Sequence, residues 1–218
     1  MANLTLVIGN KNYSSWSLRP WLAMKQAGLE FEEIRIPLYQ VKSRRRILQY
    51  SPTGKVPVLI HGDVAIWESL AICDYLAEQF SDRHWLPDSN PARAIARAIS
   101  AEMHAGFEAL RRYMPMDFRA RLPGHGMKPG VQDDINRIRD IWRTCREQYG
   151  LDGEFLFGVF TIADAMFAPV VSRFMTYCVE LDAVSQAYAD AIGSLPAMQE
   201  WQAAAADETE YIPVQNVD

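Results

Sequence analysis

Cysteine is scarce in this 218-residue chain: Cys73, Cys145 and Cys178 are odd in number and far apart, and no Cys-x-x-Cys pair exists. That excludes a disulfide framework and a dithiol redox site, and it fits a reducing cytoplasm. Histidine is equally sparse. His61, His84, His104 and His125 are scattered without ligand spacing, so no metal site is expected. No apolar run approaches the roughly 20 residues that a membrane span needs, so no membrane partner is expected. Basic charge is not in excess: 22 Lys and Arg stand against 27 Asp and Glu, a net charge of −5, which argues against nucleic acid as a partner. The opening Met1-Ala2-Asn3-Leu4 has no basic region followed by an apolar stretch, so no signal peptide is expected. Internal repeats and low-complexity tracts are also missing.

What is present changes character near residues 81–91. Before that point strand-like and helix-like pieces alternate. Leu4–Ile8 is a short apolar run, residues 21–27 are helix-like up to Gly28, and residues 31–36 alternate apolar and charged as a strand does. Residues 56–60 and Val64–Trp67 flank His61-Gly62-Asp63, a hairpin turn signal. A helix is expected from Glu68 to Phe80. A parallel βαβ unit followed by an antiparallel hairpin and a helix gives a mixed four-stranded sheet, the order of a thioredoxin-like domain.

Beyond the polar, proline-containing segment the pattern is all-helical. Asn90-Pro91 is a good helix start, with Asn as the cap, and helical spacing continues to Tyr113. Residues 115–130, rich in Pro and Gly, read as a loop. In Val131–Tyr149 the apolar Ile135, Ile138, Ile141, Trp142 and Cys145 share one helix face. Further helices are expected at 162–179, 184–192 and 196–206. The expected division is a domain at 1–80, a linker at 81–90 and an all-α domain at 91–218.

Four segments stand out, three of them for their chemistry. Ser14-Ser15-Trp16-Ser17 lies between the first strand and the first helix, where a helix N-terminus favours an anion. A serine hydroxyl there can donate to a thiolate, although serines at such a place also serve as ordinary helix caps. Val56-Pro57 begins a strand, where proline is tolerated. Glu68-Ser69 opens a helix, with a hydroxyl and N–H groups suited to a carboxylate and an acid suited to an ammonium. Thr161-Ile162-Ala163-Asp164 has capping-box spacing with Asp in the usual Glu position, and is read as structural.

In this order and at these separations the segments resemble the cytosolic glutathione transferases, and among them the serine-dependent kinds closest to the zeta class. The resemblance implies a thioredoxin-like domain joined to a helical domain, the glutathione transferase fold. It implies a homodimer that uses glutathione as co-substrate against a small-molecule electrophile, as in detoxification. The zeta motif reads Ser-Ser-Cys-x-x-Arg, and its first serine activates the thiol. Arg19 therefore picks out Ser14, with Ser15 second, while Trp16 replaces the class's cysteine and Pro20 follows the arginine. The resemblance further implies a cis Val56-Pro57 bond whose Val56 backbone pairs with the cysteinyl part of glutathione, Glu68 and Ser69 on the γ-glutamyl end, and Lys42 near the glycine carboxylate. The neighbouring arginines 44–46 read as surface. Trp16, Met103, His104, Phe107 and Arg111 are candidates to line a second-substrate site. Arg173 is placed to offer charge there, three positions before the zeta-class arginine, where this chain has Thr176. Two alternatives stand beside the transferase: a glutathione-dependent cis–trans isomerase of the maleylacetoacetate type, and a non-catalytic binding or assembly module of the same fold.

Overall fold

β1 (Leu4–Ile8) has Leu4, Leu6, Val7 and Ile8 buried. A strand covered on both faces belongs in the middle of a sheet. It pairs in parallel with β2 (Glu32–Arg35) and antiparallel with β3 (Val58–His61), and β3 pairs antiparallel with β4 (Val64–Trp67), so the order is β2-β1-β3-β4. The computed structural model describes residues 4–213. The opening tripeptide and the outer domain limits at 1 and 218 lie outside the described residues. Gly62, at a positive φ of 59°, begins the two-residue turn between His61 and Val64. The edge strand β2 carries Glu32, Glu33 and Arg35, charges that discourage pairing with another chain.

Helix α1 (Ser15–Gln26) covers one face of the sheet, and the short α2 (Ser43–Ile47) places Ile47 against Val7, Ile36 and Val58. α1 begins six residues earlier than the expected 21–27. The Pro20 that discourages a helix from the sequence sits inside it. α3 (Ser69–Gln79) follows the hairpin and packs on α1 and β3.

The regular elements beyond α3 are all helices, joined by loops that include residues 114–130: α4 (Asn90–Ala105), α5 (Glu108–Tyr113), α6 (Val131–Tyr149), α7 (Ile162–Tyr177), α8 (Ala183–Ser194) and α9 (Pro196–Ala206). The cap of α4 is Ser89 rather than Asn90, since its Oγ accepts the Ala92 N–H. The expected continuous helix to Tyr113 is broken. Gly106 leaves the helical region, Phe107 takes a left-handed φ of 61° with its ring buried, and α5 starts afresh.

α7 is the central helix, buried along almost its whole length and packed on α1, α4 and α8. Its start is the Thr161–Asp164 box. The Asp164 carboxylate accepts the N–H groups of Leu156 (3.1 Å) and Thr161 (2.7 Å) and the Thr161 hydroxyl (2.9 Å). Among the described residues no helix is long and apolar enough to cross a membrane.

Candidate active site

The loop from Gly9 to Ser14 turns the chain from β1 into α1, and it is held from several sides. Glu208, buried beyond the end of α9, accepts the N–H groups of Lys11 (2.6 Å) and Asn12 (3.2 Å). Arg35 bonds Glu208 at 3.2 Å and Glu210 at 3.0 Å. Arg119 donates to the Tyr13 hydroxyl (2.8 Å) and to the carbonyls of Glu208 and Glu210. Asn10 accepts the Leu38 N–H at 2.8 Å.

Ser14 stands at the cap position of α1, its carbonyl accepting Leu18 N–H at 3.2 Å, but its side chain caps nothing. Instead Ser14 Oγ lies 2.7 Å from Ser17 Oγ, which in turn accepts the Gly9 N–H at 3.1 Å. Ser15 Oγ accepts from Arg173 Nη2 at 3.3 Å. Both Ser14 and Ser15 border an open cleft of about 490 Å³. Tyr13, Trp16, Leu38–Gln40, Arg44, Lys55 and Val56 form its other walls.

A second cleft of about 160 Å³ adjoins it and shares Trp16, Lys55 and Val56. Thr53, Pro57, Trp67, Glu68 and Ser69 complete it. The Val56-Pro57 peptide is cis. Glu68 has φ 68°, a left-handed backbone that non-glycine residues rarely adopt and that recurs at ligand clamps. Ser69 follows as the first residue of α3, and its buried Oγ has no hydrogen-bond partner among the described residues.

Trp16 is the wall between the clefts and the helical side. The Arg19 guanidinium lies 4.4 Å and that of Arg111 5.0 Å from its ring centroid, and His104 meets it edge-on at 5.2 Å. His104 Nε2 is 3.7 Å from Glu68 Oε2, which brings α4 to the edge of the small cleft. Burial and then the Arg19 charge push the His104 pKa below its ordinary value, against the pull of Glu68, so the ring is neutral at pH 7.

Several expected site residues lie elsewhere. Lys42 is exposed and borders neither cleft, whereas Arg44 and Lys55 do, because the chain curls back between α2 and β3. Met103 and Phe107 are core residues, the latter turned inward by the break after α4. Arg173 is buried and donates to the carbonyls of Met114 (2.6 Å) and Arg111 (3.4 Å) as well as to Ser15. It fastens α7 to the turn after α5. Arg111 caps the end of α4 through the carbonyls of His104 (3.0 Å) and Gly106 (3.0 Å). The run Ser43-Arg44-Arg45-Arg46 and the Gly54-Lys55 pair before Val56 were the available signals for the cations that do line the cleft.

Larger clefts exist away from these residues, one of about 590 Å³ between α1 and the segment 82–88 and one of about 790 Å³ between α7 and α8, but none of the expected site residues borders either. Among the described residues no group of three His, Cys, Asp or Glu is placed to hold a metal.

A thioredoxin-like domain with serines at the start of its first helix, set against an all-helical domain, defines the glutathione transferase fold. Residues 13–79 match the family model described as the glutathione S-transferase N-terminal domain. The chain is 27% identical over 161 residues to the probable maleylacetoacetate isomerase of Caenorhabditis elegans, covering 72% of each. It is 39% identical over 83 residues to glutathione S-transferase 1 of Dianthus caryophyllus, covering 38% of each. A glutathione transferase homolog from Burkholderia GL BGR1, solved with bound glutathione, superimposes with a TM-score of 0.69 at 23% identity, covering 95% of this chain and all of the other. Residues 13–79 thus carry a glutathione S-transferase N-terminal domain, and the described chain as a whole has the glutathione transferase fold.

Proposed function

We propose that this protein binds glutathione across the two adjoining clefts and uses Ser14 to hold its sulfur as the thiolate, which attacks a small electrophile. The observation that carries the reading is the pairing of the Ser14 hydroxyl at the head of α1 in one cleft with the unpartnered, buried Ser69 hydroxyl at the head of α3 in the next. A helix N-terminus with a spare hydroxyl suits the γ-glutamyl carboxylate, and Glu68 suits the neighbouring ammonium. The Val56 backbone pairs with the cysteinyl unit as an added strand. Arg44 and Lys55 supply cations for the glycine carboxylate. Ser14 is too weak an acid to act as base, so it donates to the sulfur anion while the α1 dipole adds to the effect. The new carbon–sulfur bond forms as the electrophile loses its leaving group or takes up a proton.

A second reading is favoured by one observation. The Caenorhabditis elegans relative aligned over 72% of the chain is named a probable maleylacetoacetate isomerase. In that reaction the thiolate adds, a carbon–carbon bond rotates and the thiolate leaves again. Turnover on maleylacetoacetate-type acids, aryl halides and organic peroxides separates the two.

The setting we propose is detoxification in the cytoplasm by a homodimer, with residues 1–80 as the glutathione-binding domain, 91–218 as the helical domain and 81–90 as the linker. Support comes from α3 ending at Gln79 and α4 starting at Asn90, from three unpaired cysteines, and from large apolar side chains exposed on the edge strand β4 (Val64, Trp67) and on α4 (Ile95).

The test is Ser14→Ala, read by the ultraviolet absorbance of bound thiolate against pH. A charge-assisted hydrogen bond is worth about 1.5–3 kcal/mol and one pKa unit about 1.4 kcal/mol, so the bound thiol pKa should rise by about a unit or more. A shift in Ser15→Ala and none in Ser14→Ala moves the role by one residue. No shift in either refutes the serine mechanism.

A further inference from the structure

Ser17, one turn into α1, has no part in the chemistry above, yet it is the only side chain hydrogen-bonded to Ser14 among the described residues. It is fully buried. Its Oγ accepts the Gly9 N–H at 3.1 Å and lies 2.7 Å from Ser14 Oγ. Distance alone leaves the direction of that second bond open. Proton counting decides it.

Each hydroxyl carries one proton. Among the described residues Ser14 Oγ is the sole acceptor within hydrogen-bond reach of the Ser17 proton. If Ser14 donated to Ser17, the Ser17 proton would be stranded in a site closed to water, which buried polar groups avoid. If Ser17 donates to Ser14, the Gly9 N–H and the buried Ser17 proton both have acceptors, and the Ser14 proton is left to face the cleft. The bonds then run in one sense, from Gly9 N–H to Ser17, from Ser17 to Ser14, and from Ser14 outward. Hydrogen bonds in series polarise one another, so each strengthens the next. Gly9 directly follows β1, so the chain of donors is anchored on the central strand of the sheet.

We propose that Ser17 is a positioning residue: it spends its own proton on Ser14 and thereby commits the Ser14 proton to the anion in the cleft. The inference rests on the reading of Ser14 as the thiolate partner and deepens it. Ser17 itself touches no substrate. Its substitution should weaken Ser14 as a donor without removing it, and it should have no further effect once the Ser14 hydroxyl is gone.

The experiment is a double-mutant cycle on the full chain with glutathione as the probe. Bound thiolate absorbance is titrated against pH in wild type, Ser14→Ala, Ser17→Ala and the double variant. Arg44 and Lys55 on the cleft, and Arg173 beside Ser15, are the same in all four. Ser14→Ala should raise the bound thiol pKa by about a unit or more and Ser17→Ala by about half a unit, with the double variant matching Ser14→Ala alone. A purely structural role for Ser17 would act equally in both backgrounds. A shift in Ser14→Ala with none in Ser17→Ala overturns the inference and leaves Ser14 in place. A Ser17 effect that adds in full to that of Ser14→Ala also overturns it. No shift in Ser14→Ala removes the reading beneath it, and this inference with it. Ser17→Cys nearly keeps the shape but donates weakly. It should titrate between wild type and Ser17→Ala, and a wild-type titration there counts against the proposal even where Ser17→Ala does not fold.

Discussion

Removing the Asp164 carboxylate should cost much of the stability of this fold, and the cost should grow in acid. In Asp164→Ala the N–H groups of Leu156 and Thr161 lose their acceptor inside the protein. The Thr161 hydroxyl can rotate to another partner, but the two main-chain donors cannot. Each buried donor left unsatisfied costs about 1–3 kcal/mol, so the total is about 2–6 kcal/mol out of a typical 5–15 kcal/mol. The pH dependence follows from burial, which raises the Asp164 pKa from the ordinary 3.8 to about 6 despite the hydrogen bonds from Leu156 and Thr161. Between those two values the folded state binds more protons than the unfolded one, so the Asp164 contribution to stability falls as pH rises through this window and is at its lowest above it. The alanine variant has no such group. The deficit of Asp164→Ala relative to wild type should therefore be about 1 kcal/mol greater at pH 5 than at pH 7. Urea unfolding at fixed protein concentration, at both pH values, measures it. A deficit below about 1 kcal/mol at pH 7 would refute the hydrogen-bond account. A deficit that shrinks in acid would show that the hydrogen bonds, rather than burial, set the titration of this carboxyl.

Two further outcomes are expected besides the Ser14 and Ser17 titrations. Glu208→Gln leaves one of the Lys11 and Asn12 N–H groups facing an amide N–H instead of a carboxylate, and should lower stability by about 1–3 kcal/mol in the same urea assay; an unchanged midpoint would mean that the loop is held without it. Light scattering at micromolar concentration should report about 50 kDa, twice the 24.8 kDa of one chain, and a value near 25 kDa would remove the homodimer.

Residues whose pattern repeats locally were readable. The apolar run Leu4–Ile8, the one-faced helix Val131–Tyr149 and the strand Val64–Trp67 after the Gly62-Asp63 turn hold their expected bounds because local pattern or turn chemistry marks their limits. Local signals failed where tertiary contacts overruled them. The helix-like stretch was expected to begin at residue 21, yet α1 runs through Pro20 from Ser15, packed against α3 and α7. The break at Phe107 depends on a buried ring and on the Arg111 guanidinium reaching back to the end of α4, a contact that spacing does not reveal. Arg173 looked like a charge available for a ligand. Its partners include the carbonyl of Arg111 in α5, that of Met114 just after it and a serine 158 positions away, and only folding brings them together. Arg44 and Lys55 were hidden by the same limit. A run of cations says that the surface is basic, and the path of the loop decides which of them faces a cleft.

The clamp on the loop that carries Ser14 has a bearing on the order in which the molecule is completed. Lys11 and Glu208 are 197 positions apart. At about 5–20 residues per second, ribosomes need about 10–40 s to make the intervening chain. β1 to β4 and α3, all within the first 79 residues, can close their local pairings in that interval, because short-range contacts form early and long-range ones late. The loop cannot reach its final form until the segment after α9 docks on it. A chain cut before Glu208 would therefore carry a finished sheet and an unfinished Ser14 loop, and the proposed thiolate absorbance, where it is gained, would time the last docking event in folding.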